Sequence, residues 1–142
     1  MSLDTLRAKI TDMFQTAQAT SAYVGEKVRI PNLAFDTPTE SPYFAIYVVP
    51  VTSAKASIGT SASFRKHTAL VSIEVYVPEN KGTKLLLDRM QWVGDVFQEK
   101  VFTLADGETV SMGTASFKDN GLQYGVWRGT VIIKADRRGC AS

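Results

Sequence analysis

The sequence predicts one α+β domain over residues 1–142, an antiparallel sheet of about four strands with two helices packed on one face and a protruding hairpin arm. Three observations predict it. Two stretches, near the start and after Gly82, carry apolar residues at three- and four-residue steps. Residues 68–77 alternate strictly between an apolar and a mixed set. Between two strand-like runs lies a polar segment too poor in large apolar side chains to pack.

The first helix runs from Ser2 to about Thr20, with Leu3, Leu6, Ile10, Met13, Phe14 and Ala17 on one face and Ser2 as N-cap. Val28 to Ser41 reads as an irregular connection, because Pro31, Pro38 and Pro42 interrupt any ladder. Val28, Ile30, Leu33 and Phe35 are expected to pin it to the core. Tyr43 to Val51 is a strand rich in aromatic and β-branched residues, and Pro50 places its end at an edge or bulge. Residues 52–65 form the arm, with Ile58 as its one sizeable aliphatic side chain.

In the next strand Ala69, Val71, Ile73, Val75 and Val77 make the core face. The second helix spans about Thr83 to Lys100, with a stripe of Leu86, Met90, Val93 and Phe97 and with Leu87 and Val101 beside it. Gly94 at the stripe's edge allows close approach to the sheet. Thr109–Phe117 and Leu122–Ala135 are strands joined by a turn at Lys118-Asp119-Asn120-Gly121, and 136–142 reads as a loose polar tail.

Composition narrows the function. Hydrophobic residues at 44% support a sizeable core, and a net charge of only +2 does not by itself demand a nucleic-acid partner. A local positive patch remains compatible with that balance. The single Cys140 cannot form an internal disulfide, which favours a reducing compartment and synthesis in the cytoplasm. No apolar run is long enough to span a membrane, and the first residues lack a secretion signal pattern.

Reactive constellations are missing, so no catalytic residue, cofactor or metal ligand is assigned. His67 is the lone histidine and has no partner at triad or zinc spacing. Ser57-Ile58-Gly59 lacks the flanking glycine of a nucleophile elbow, and Gly82-Thr83-Lys84 lacks the preceding loop of a phosphate cradle. Asp88 and Asp95 share the helix face opposite the apolar stripe, as solvated carboxylates do. Trp92 and Trp127 suit core or subunit packing better than ligand stacking. Two features remain: the arm with its basic foot, and the basic tail. Lys55, Ser57, Ile58, Arg65, Lys66, His67, Arg137 and Arg138 are therefore the candidate contact residues with other subunits.

From Asn32 to Gly82 the order of motifs resembles a known family. Asn32-Leu33-Ala34-Phe35, Pro42-Tyr43 opening a strand, Ser57-Ile58-Gly59, the run Arg65 to Val77, and Pro78-Glu79-Asn80-Lys81-Gly82-Thr83 are similar to the phage tail-terminator-like proteins. The likeness covers most of the chain to about Phe102, and the final hairpin fits by order. It implies a non-enzymatic virion assembly protein at the head-proximal end of the tail. Such proteins form a homo-oligomeric ring, typically hexameric, that caps the tail tube, stops its polymerisation and presents a surface to neck or head-completion proteins. DNA passes the lumen without sequence-specific binding, and no membrane is involved. A neck or tail-tube protein is the alternative from the same setting; a small ligand-binding module using Trp92, Trp127 and the tyrosines is the alternative from another class.

Overall fold

The structure is a computed structural model that describes residues 3–30, 37–38, 41–55, 64–104 and 107–140. Along 3–4, 51–55, 64–67 and 137–140 it describes the backbone alone. The described residues form two α-helices, a 3-10 turn and a seven-stranded mixed sheet of order β1-β2-β3-β7-β5-β4, with β6 also paired to β7.

Helix α1 (Leu3–Ala19) buries Leu6, Ile10 and Phe14, which recur every four residues and so share one face. Gln18 continues that row. Its Nε2 donates to the carbonyls of Tyr23 (3.0 Å) and Glu26 (2.8 Å), closing the turn after the helix. Ser2, the expected N-cap, lies outside the described residues, as do Leu33 and Phe35. The irregular connection begins later than expected. Lys27–Arg29 forms β1, parallel to Tyr43–Ala45. Three residues are too few to leave a period in the sequence.

Strand β2 (Tyr43–Lys55) runs four residues past its expected end. Pro50 pairs with Ala69, and the register shifts between Pro50 and Thr52. β1 covers β2 only at Tyr43–Ala45, so Pro50 sits where the described strand is an edge and its missing N–H is tolerated. β3 (Phe64–Pro78) pairs with β2 on one side and with β7 (Val126–Cys140) on the other, without a register break against β7. The whole of β3's odd row from Ala69 to Val77 is buried. Cross-strand partners share a face, so Phe44, Ile46, Val131 and Ile133 belong to that same apolar side.

Both helices cover this one face. Phe14 meets Phe44 edge-on at 5.1 Å, and Trp92 joins them at 5.3 and 5.8 Å. α2 (Thr83–Phe97) buries Leu86, Met90, Val93 and Phe97. Leu87 and Val101 do not belong beside that stripe, because they are 54% and 66% exposed. The helix also stops at Phe97 rather than Lys100, where Glu99 turns to positive φ. Gly94 does permit a close approach: a Cβ there would lie 2.7 Å from the Phe117 ring. The sequence reading overlooked its counterpart on the sheet. A Cβ on Gly129 would lie 2.3 Å from Met90 Sδ, so α2 rests on bare β7 backbone.

The C-terminal third departs most from expectation. A three-residue β4 (Val101–Thr103) pairs with β5 (Thr109–Met112), and the expected strand to Phe117 breaks at Gly113 before β6 (Ser116–Gln123). Asn120-Gly121 is not the hairpin turn. Gly121 (φ +77°) sits at a bulge where the register shifts, and its N–H donates to Asp119 Oδ1 at 2.8 Å. The turn is Tyr124-Gly125, both at positive φ, as a two-residue type I′ loop requires. Residues 136–140, expected as loose tail, continue β7 and pair with 64–68 and, through Asp136, Arg137 and Arg138, with β5. The expected four-stranded antiparallel sheet is thus a larger, mixed one.

Candidate assembly surface

The candidate contact residues converge through backbone register. Lys55 lies opposite Arg65, Lys66 opposite Arg138, and His67 opposite Arg137. The foot of the arm and the tail, separated by about seventy residues of chain, are one place, where the ends of β2, β3 and β7 pair and β5 flanks Asp136, Arg137 and Arg138. Ser57 and Ile58 lie outside the described residues. Next to that place Thr68 Oγ1 donates to Asp136 Oδ1 at 2.9 Å, tying β3 to β7.

At the opposite end of β3, the face not covered by helices carries a polar and aromatic network. Tyr43 and Tyr76 stack at 4.5 Å with planes 7° apart. Glu74, almost fully buried, accepts from the Tyr76 hydroxyl and from Arg128 Nη2. Burial pushes the Tyr76 phenol well above its ordinary value, and the hydrogen bond to anionic Glu74 adds to the shift. Burial likewise raises Tyr43, although nearby Arg29 opposes it. The guanidinium of Arg128 is held charged chiefly by its hydrogen bond to Glu74. These shifts keep both phenols neutral near neutral pH. The network braces adjacent strands, and neither phenol is poised as a base.

Beside it, Tyr43, Tyr76, Pro78, Tyr124 and Val126 line an open depression of about 240 Å³ with Thr37, Pro38 and Ser41. Tyr124 was not among the sequence candidates. It is 103% exposed at the hairpin tip with φ +52°, a conformation unfavourable for a bulky side chain. Tyr124→Asn is expected to stabilise the isolated protein by about 0.5–1 kcal/mol, because asparagine tolerates that backbone and no packing is lost. A lower urea midpoint in the variant would contradict the turn assignment. A Tyr-Gly pair at hairpin spacing before Val126 was the available signal, but Asn120-Gly121 outweighed it.

The residues tested for chemistry are otherwise engaged. Lys84 pairs with exposed Asp88 at 2.7 Å, and Gln91 donates to exposed Asp95 at 3.0 Å. Trp92 packs with Phe14, Tyr23 and Phe44, so it is a core side chain rather than a ligand platform. Trp127 packs partly buried against the same core. Among the described residues no group of three histidine, cysteine or acidic side chains could hold a metal. Among the described residues no helix is long and apolar enough to cross a membrane.

The chain is an α+β domain whose two helices close one face of a mixed sheet. The model of the phage tail terminator protein family matches residues 5–128, and the chain belongs to that family. It is therefore a structural protein of phage tails, which places it in the virion among other tail proteins. No curated protein sequence matches the chain. Among solved structures, one without a functional description aligns over 96% of each chain with a TM-score of 0.75 at 19% identity. A chain from the virion of a native gene transfer agent particle aligns over 89% of this chain and 92% of its own, with a TM-score of 0.57 at 13% identity. Both share the fold.

Proposed function

We propose that the protein is the terminator itself: a homo-oligomeric ring, hexameric in the simplest reading, that caps the tail tube, ends its polymerisation and joins the tail to the neck. Family membership over residues 5–128 carries this reading. The pairing of the arm's foot with the C-terminal end of β7 supports it, since it gathers the candidate contact residues at one place. A related fold in a gene transfer agent virion is consistent with work inside a particle. On this reading Lys55, Ser57, Ile58, Arg65, Lys66, His67, Arg137 and Arg138 meet the adjacent subunit or the tube protein, and DNA traverses the lumen.

The test is to replace residues 56–64 by Asn-Gly, which preserves the Lys55–Arg65 rung. Shortening a loop changes closure entropy only slowly, so stability should move by about 1 kcal/mol or less. Ring mass should fall towards the monomer, and infected cells should yield tails of uncontrolled length. A shortened protein that still forms rings and caps tails at normal length refutes the role given to the arm. Normal tail lengths that persist when the whole protein is absent would favour a neck or tube role instead.

A further inference from the structure

We draw no further inference here: the strongest candidate, the open depression beside the β6–β7 hairpin where Tyr43, Tyr76, Pro78 and Val126 meet the exposed Tyr124, is an apolar hollow, and nothing in the structure shows what covers it.

Discussion

Phe97→Ala is expected to destabilise the protein by about 3–5 kcal/mol, the cost of removing a fully buried aromatic ring and leaving a cavity. Phe97 is the last residue of α2, and its ring lies nearly parallel to that of Phe14 on α1 at 6.4 Å. It therefore joins the two helices as well as anchoring α2 to the sheet. The neighbourhood has little room to relax. Gln98 N–H donates to Gly94 O at 2.7 Å, and Gln98 Oε1 accepts from Ala115 N–H at 3.0 Å, fixing the chain on the C-terminal side of the cavity. Domains of this size are stable by only about 5–15 kcal/mol, so the variant should lose a large share of the total. Melting should fall by roughly 6–20 °C. A loss below about 1 kcal/mol in urea unfolding would show that the site collapses freely and that the helix–helix contact is looser than described.

What the sequence made legible here is what local periodicity can carry. Leu86, Met90, Val93 and Phe97 follow a helical period, and Val71, Ile73 and Val75 a strand period, and all are buried. Their burial follows from side-chain spacing alone. Three-residue strands β1 and β4 span less than two alternations, so their pairing is decided by the partner strand and not by their own residues. Asn120-Gly121 misled for a specific reason. The backbone freedom that makes glycine favourable in a type I′ turn also makes it favourable at a bulge, and here the bulge occupies it. The loose reading of the C-terminal residues failed because Arg137, Arg138 and Gly139 look like tail composition, whereas their strand is templated by β3 and β5.

The candidate surface was half legible. Its residues were found by eliminating chemistry, but the sequence treated the foot of the arm and the C-terminal end as two features. Lys66 and Arg138 meet only through non-local antiparallel pairing, which local pattern does not encode. Once the register is known, alternation distributes the rest. The mixed side of β3, unremarkable as Thr68, Leu70, Ser72, Glu74 and Tyr76, becomes the centre of a broad face with lysines on β6 and β7. Net charge could not show this, because it averages over a helix side where cations and carboxylates are interspersed.

Arg89→Ala is expected to cost about 3 kcal/mol, and a second substitution at Glu26 should recover part of it. Arg89 lies on α2 yet is largely buried, with its side chain 9% exposed and that of Glu26 17%. Its Nε donates to Glu26 Oε1 at 2.9 Å, Nη2 donates to Oε2, and Nη1 donates to the Leu85 carbonyl at 3.1 Å. The guanidinium also lies 4.7 Å from the centre of the Tyr23 ring. One cation thus ties α2 to the turn that leads into β1, a connection the sequence did not announce because sixty-three residues separate the partners. Removing Arg89 alone strands a carboxylate with little access to water, and breaking such a pair costs about 3–5 kcal/mol when both groups are deeply buried. Glu26 retains some exposure, which sets the expectation at the lower end. Arg89→Met/Glu26→Met removes both charges and replaces them with apolar bulk, so it should be more stable than Arg89→Ala by about 1 kcal/mol or more. Urea unfolding of Arg89→Met, Glu26→Met and the double completes the cycle. A double variant less stable than Arg89→Ala would show that the stranded carboxylate is not the main penalty, and that Arg89 acts mainly by packing on Tyr23.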